Sequence, residues 1–140
     1  MYVTIVKADE EILATYTLMK QLRSHLKEQI YVEKVKQLQQ EYGYKLIAIF
    51  ENGEAKAAAG YRICDSLAWG KYLYVDDLIT DQDSRSSGYA KQLFDWLEDE
   101  VKINNCAAMH LDSGVLRHDA HRFYLKRKMN ITGYHFEKPY

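Results

Sequence analysis

Asp76-Asp77-Leu78-Ile79-Thr80-Asp81-Gln82-Asp83-Ser84-Arg85-Ser86-Ser87-Gly88-Tyr89-Ala90 links two kinds of element in fifteen residues. It runs from a strand-forming segment through a polar loop into the first turn of an amphipathic helix. Gly88 sits where that helix begins, with Arg85, Ser86 and Ser87 before it. The unpaired backbone N–H groups of a helix N-terminus and the positive end of its dipole then point outward together. Such an end holds anions, and a phosphate is the expected guest. Ser, Asp and Gly also suit any strand-to-helix turn, so the segment alone leaves both readings open.

Working outward, Ala90, Leu93, Phe94, Leu97 and Val101 form one apolar face of the following helix, with Lys91, Asp95, Glu98 and Lys102 outside it. Upstream, Gly70 turns the chain into a strand over 71–80, and residues 55–66 form another strand rich in small residues, Ala55, Ala57, Ala58, Ala59 and Gly60. Small residues in a central strand imply that something bulky packs close to it. Asn52-Gly53 is the strongest hairpin signal in the chain. Before it, Tyr44, Leu46, Ala48 and Phe50 alternate with Ile47 and Ile49, so this strand is covered on both sides. Three antiparallel strands in succession result.

The flanks complete the order. Tyr2 to Lys7 alternates as a first strand, and Asp9 is placed to cap a helix over residues 10–27 that is either continuous or broken near Arg23-Ser24. Tyr31, Val35, Leu38 and Tyr42 mark a second helix that stops at Gly43. After the central helix, 107–111 reads as a buried strand ending in Asp112-Ser113-Gly114, and 117–128 as a helix with Ala120, Phe123 and Tyr124 inward. Tyr134-His135-Phe136 alternates as a closing strand. The fold class is α/β (α+β): one domain over 1–140, three αβα layers, and a central mixed, mostly antiparallel sheet. The unit from 72 to 112 is expected to be a right-handed crossover with parallel outer strands. A ligand would sit beyond the strand ends, near 80–90, Asp112-Ser113 and the start of the last helix.

The chain has 140 residues, which suits one domain with one core, and its formal net charge of −1 lacks the basic excess of a nucleic-acid binder. Two cysteines without a Cys-x-x-Cys pattern point to neither a zinc site nor a disulfide framework, so no metal is expected. No signal-like or membrane-spanning stretch is present, and a cytoplasmic protein without a membrane partner is the expectation.

Arg85-Ser86-Ser87-Gly88-Tyr89-Ala90, together with Ala120-His121-Arg122-Phe123-Tyr124 downstream, resembles the GCN5-related N-acetyltransferases (GNAT), whose signature is Gln/Arg-x-x-Gly-x-Gly/Ala. The resemblance extends over the whole domain and is most specific over 72–136. It implies acetyl-CoA as acetyl donor, its pyrophosphate held by backbone N–H groups of Arg85, Ser86, Ser87, Gly88, Tyr89 and Ala90. It further implies that Leu78, Ile79 and Thr80 pair their backbone with the pantetheine arm where the sheet splays from the next strand. Ala120 and Phe123 belong to the matching block on the last helix. The family more often has Gly at positions 86 and 90, and often has Asn where this chain has Arg117.

The activity so implied is transfer of acetyl to a primary amine of a small molecule or peptide, by direct attack in a ternary complex. It needs a proton acceptor, donors for the oxyanion and an acid for the leaving thiolate. Tyr124 matches the family's acid. Asp112, at a strand end, and Asp77, on the preceding strand, are the competing carboxylates for the base, and ordered water could replace either. Each also has a plain reading, as a turn residue or a solvated strand-end carboxylate. Acceptor choice is expected to lie around Arg23–Tyr31 and near Trp69, with Glu28, Glu33, Asp76 and Asp77 able to attract a cationic amine. The alternative is a non-catalytic acyl-CoA sensor or interaction module on the same fold. A homodimer paired along 131–137 is a further expectation.

Overall fold

The computed structural model describes residues 2–140, apart from the side chains of Arg85 and Ser86. The elements follow in the order β1 (Thr4–Val6), α1 (Asp9–Ala14), α2 (Tyr16–Leu22), α3 (Glu28–Glu41), β2 (Lys45–Glu51), β3 (Glu54–Ser66) and β4 (Gly70–Thr80). A 3-10 turn (Gln82–Ser87), α4 (Tyr89–Ile103), β5 (Ala108–Leu111) and α5 (His118–Lys126) complete the chain. The strands form one five-stranded mixed sheet in the order β1-β2-β3-β4-β5, in which the β1–β2, β2–β3 and β3–β4 pairs are antiparallel. The chain falls into two compact units, one ending at His110 and one spanning Leu111–Tyr140.

Alternation on β2 and β3 divides the sheet's two faces. Leu46, Ala48 and Ala58 join Ile12, Leu18, Met19, Tyr31 and Val35 in one buried cluster beneath α1, α2 and α3. Residues of the opposite parity, Ile47, Ile49, Ala57 and Ala59, are equally buried on the side where α4 crosses β2, β3 and β4 with Leu93, Phe94 and Leu97. This is the expected three-layer arrangement. Asn52 and Gly53 both have positive φ, 54° and 77°, which is the hairpin geometry that Asn-Gly favours. Gly43, at φ 71°, ends α3, and the Tyr44 amide donates back to the Leu38 carbonyl at 3.1 Å.

Several boundaries differ from the sequence expectation. The helical stretch 10–27 ends at Leu22, with Arg23 as its C-cap as one of the two expectations had it, and it breaks a second time at Thr15. Thr15 is wholly buried, and its Oγ1 donates to the Ile12 carbonyl at 2.6 Å while accepting from the Tyr31 hydroxyl at 2.7 Å. A threonine bonded to its own preceding turn competes with the helix ladder. The cap of α1 is Ala8, not Asp9, with the Glu11 carboxylate reaching back to the Ala8 amide at 3.4 Å. β5 is half-buried along its length rather than buried. No strand forms at 131–137: residues 129–140 carry no regular structure, and Ile131, Tyr134 and Phe136 are exposed. Alternation marks a strand only where another strand accepts its hydrogen bonds, and among the described residues none does. The homodimer expectation therefore loses the edge on which it rested.

Burial pushes the Tyr31 phenol from 10.0 up to about 12. The stabilisation from keeping it neutral is complete below pH 10 and is lost as pH rises towards 12, because the unfolded chain releases this proton first. Urea midpoints at pH 8 and pH 11 should therefore differ more for the wild-type protein than for Tyr31→Phe, and equal losses would discount this residue.

Candidate active site

The ladder between β3 and β4 slips by one residue. Gly60 faces Asp77 and Tyr61 faces Val75, which leaves Asp76 without an opposite number. Such a bulge re-aims side chains and takes a residue out of the ladder. Here it turns two consecutive acidic residues into one cleft of about 490 Å³, lined also by Arg23, Lys34, Tyr44 and Arg62, with Leu38 and Tyr42 beside them.

Each acid is held at both oxygens. Arg62 grips Asp76 in a fork, Nε to Oδ2 and Nη2 to Oδ1, both at 2.8 Å. Arg23, at the C-terminal cap of α2, donates from Nε to Asp77 Oδ1 at 3.0 Å and from Nη2 to the Asp76 carbonyl at 2.8 Å. The carbonyl at the bulge thus finds a side-chain donor. Tyr44 donates its hydroxyl to Asp77 Oδ2 at 2.8 Å. Burial, and then the adjacent Asp77 charge, hold the Tyr44 phenol protonated well above the ordinary tyrosine range. The Tyr44 ring reaches Asp77 across Gly60, where an added Cβ would overlap the Tyr44 hydroxyl and ring edge. This is the bulky neighbour that the small-residue run in β3 implied.

Beyond the bulge, Leu78, Ile79 and Thr80 pair with Ala59, Ala58 and Ala57. Near the start of β4 the Lys71 carbonyl accepts from the Ala107 amide, just before β5, at 2.7 Å. The 3-10 turn leads to Gly88, whose φ of 80° is left-handed and therefore suits glycine. The N-cap of α4 is Gly88, which has no side chain to cap it; the first turn contains no acidic residue, and a bond runs from the Gln92 amide to the Gly88 carbonyl at 3.1 Å. The Tyr89, Ala90 and Lys91 amides therefore lack acceptors inside the helix. The Tyr89 side chain turns into the core and donates to Glu51 Oε2 at 2.6 Å, so this residue can offer a ligand only its backbone. Ser87 is exposed and Ala90 half-buried.

The remaining candidates belong to the second compact unit. Tyr124, Phe123 and Ala120 are half-buried on α5, the two rings meeting edge-to-face at 5.8 Å. Burial raises the Tyr124 phenol and the Arg117 charge opposes the rise, so it remains protonated through the neutral range. Asp112 Oδ1 lies 3.7 Å from His135 Nδ1, both side chains being more than half exposed. His121 Nε2 donates to the Gly114 carbonyl at 2.8 Å, a bond that anchors the loop before α5. Within the first unit, then, Asp77, Leu78, Ile79 and Thr80 follow one another on β4, which leads to the α4 N-terminus. Arg23, Tyr44 and Arg62 were not singled out as partners of the acids, and only the small side chains around Gly60 signalled that a ring lay there.

The sequence profile of the acetyltransferase (GNAT) family matches residues 9–129. The chain belongs to this family. An uncharacterized N-acetyltransferase of Bacillus subtilis (strain 168) is 35% identical over 131 residues, covering 93% of this chain and 92% of that protein. Among solved structures, a transcriptional regulator from Bacillus halodurans C-125 superposes with a TM-score of 0.84 at 20% identity, over 99% of this chain and 100% of that one. A ribosomal-protein-alanine N-acetyltransferase from Brucella melitensis biovar Abortus 2308 does so with a TM-score of 0.83 at 14% identity, over 100% of both chains. At these identities the solved structures support the fold, and the family match supports the acetyltransferase class.

Gly60→Ala should displace the Tyr44 ring and destabilise the GNAT fold by about 1–3 kcal/mol, the usual cost of overpacking. In the double variant Gly60→Ala/Tyr44→Leu the two losses should sum to more than the measured total, because the clash is removed. Urea denaturation of the four proteins reads this, and simple additivity would show that the ring does not depend on the missing Cβ.

Proposed function

We propose that the protein moves an acetyl group from acetyl-CoA to a primary amine of a small molecule or peptide, by direct attack in a ternary complex. The observation that carries the reading is one strand, β4, which leads from a charged cleft at Asp76-Asp77 through Leu78–Thr80 towards an uncapped helix N-terminus at Gly88. An N-terminus with unpaired amides and no nearby acid in its first turn fits a pyrophosphate. Ser87, Gly88, Tyr89 and Ala90 would hold it with the backbone of Arg85 and Ser86. Leu78, Ile79 and Thr80 would align the pantetheine arm, with Ala120 and Phe123 contributing from α5. When bound, acetyl-CoA supplies an acyl group activated as a thioester.

The chain's own residues supply the proton handling. Tyr124, whose phenol burial keeps protonated, is the acid for the leaving thiolate. Asp77 has both oxygens engaged by Arg23 and Tyr44, which suits it to positioning. Asp112, more than half exposed beside His135, is the carboxylate better suited to receive the ammonium proton. The acceptor amine enters by the cleft. The reading takes 1–140 as one catalytic domain working in the cytoplasm, in keeping with two free cysteines and a near-neutral charge.

A screen of amines with acetyl-CoA, read by thiol release, tests the activity. With any accepted amine, Tyr124→Phe should lower kcat by about 100-fold or more, within the range of general-acid contributions. Acetyl-CoA affinity by titration calorimetry should stay within about 2-fold, since the phenol is assigned to proton transfer rather than to holding the cofactor. No acetyl-CoA binding would sink the proposal, and binding without turnover of any amine would favour an acyl-CoA sensor.

A further inference from the structure

We infer that the amine taken up in the cleft also carries an anionic group, a carboxylate or a phosphate, seated against Arg23, Lys34 and Arg62. This rests on the acetyl-transfer reading and names the acceptor class that the same cleft selects. The argument is one of hydrogen-bonding capacity, atom by atom.

The acidic side of the cleft is already engaged. Asp76 accepts from Arg62 at both carboxylate oxygens, and its carbonyl accepts from Arg23. Asp77 accepts from Arg23 at one oxygen and from Tyr44 at the other. An ammonium group arriving here would share oxygens that already accept from donors at 2.8–3.0 Å and would lie beside the two guanidinium charges. The attraction of a polycation to two nearby acids, which their sequence positions invite, is therefore offset before any ligand enters.

The basic side retains capacity. A guanidinium has five N–H donors. Arg62 directs Nε and Nη2 at Asp76, and among the described residues its Nη1 has no partner. Arg23 likewise uses Nε and Nη2, leaving Nη1. Lys34 lines the cleft from α3, and its Nζ makes no hydrogen bond or ion pair with any described residue. The two arginine side chains are 42% and 36% exposed, so neither is sealed in. Three cations thus line the cleft against two carboxylates, and apart from the Tyr42 hydroxyl the donors left over are cationic. What a ligand must supply is acceptor oxygens with negative charge.

The acids gain a purpose in this arrangement. A guanidinium clamped along one edge presents its other edge in a fixed plane, so less side-chain freedom is lost when an oxyanion binds. Lys34 adds a mobile point charge, able to follow either a planar carboxylate or a tetrahedral phosphate.

Matched acceptors test the inference on the full chain: phosphoethanolamine against ethanolamine, β-alanine against 3-aminopropanol, and spermidine as the polycation. Thiol release from acetyl-CoA should show kcat/KM at least about 10-fold higher for the anionic member of at least one pair, the size of one charge-assisted hydrogen bond. The pair that discriminates more strongly tells phosphate from carboxylate. Lys34→Gln, an exchange on the surface of α3, should shrink that ratio through KM rather than kcat. A second readout needs no turnover: phosphoethanolamine or β-alanine should raise the melting temperature more than its neutral partner, and less in Lys34→Gln. Preference for spermidine or for the neutral amines, with thiol released, would overturn this inference and leave acetyl transfer standing. The reverse separation is also available: Lys34-dependent stabilisation by an anionic amine, without acetyl-CoA binding, would retain the anion seat and remove the acetyl-transfer reading.

Discussion

The bond from the Tyr44 hydroxyl to Asp77, made across a residue with no side chain, is the constraint on which the cleft depends. A half-buried carboxylate is costly unless its oxygens are satisfied, and removing one partner leaves the charge without compensation. Three elements meet that demand at Asp77: β4 supplies the acid, the C-terminal cap of α2 supplies Arg23, and the residue before β2 supplies Tyr44. The requirement reaches into β3, because a Cβ at position 60 would occupy the space of the ring. The two hydrogen bonds to this one carboxylate therefore tie the helical layer, the hairpin and β4 into one geometry.

The bulge at Asp76 makes this compatible with a continuous strand. Without it, Asp76 and Asp77 would project to opposite faces, since successive side chains of a strand alternate. With it, both acids line the cleft, and one residue further regular pairing resumes with Ala59 opposite Leu78. The carbonyl of the bulged residue receives its hydrogen bond from Arg23, so the irregularity leaves no buried acceptor unsatisfied there. From that point β4 runs into the turn before Gly88. One strand serves two electrostatic environments, an arginine-edged cleft and the positive end of a 15-residue helix, and both favour anions.

Much of this was legible in the residues where conformation is dictated locally. Gly43, Asn52-Gly53 and Gly88 all adopt positive φ, and each could be recognised from its own identity and neighbours. Alternation along 44–50 announced a strand covered on both faces because each parity was apolar. The bulge was not legible, because register belongs to two strands at once and neither sequence alone records a slip. The break at Thr15 depends on Tyr31, a residue on another helix, and so lay outside any local pattern. The closing strand was overread for the complementary reason: Tyr134-His135-Phe136 has the right period but no strand partner among the described residues. At the candidate site the run of residues along β4 was legible as a strand, while the arginines that pair with its acids were not, since an Arg-Asp pair between positions 23 and 77 leaves no trace in spacing.

That omission changes what the acids mean. Two adjacent carboxylates on a strand, taken alone, read as a trap for a cationic amine or as a source of a general base. Both readings assume lone pairs that are available. In the folded chain the oxygens of Asp76 and Asp77 are the targets of guanidinium and phenol donors, and each acid does more to orient its partner than to meet a ligand directly. Charge at such a site has to be counted after internal pairing, because a pair that neutralises its acid while leaving N–H donors of its base unused presents the base to the outside. A guanidinium has more donors than one carboxylate can accept in a planar fork, so every Arg-Asp pair of this kind retains a cationic edge. Two such pairs line the cleft together with Lys34 of α3, so an acidic sequence motif comes to be edged by cationic donors.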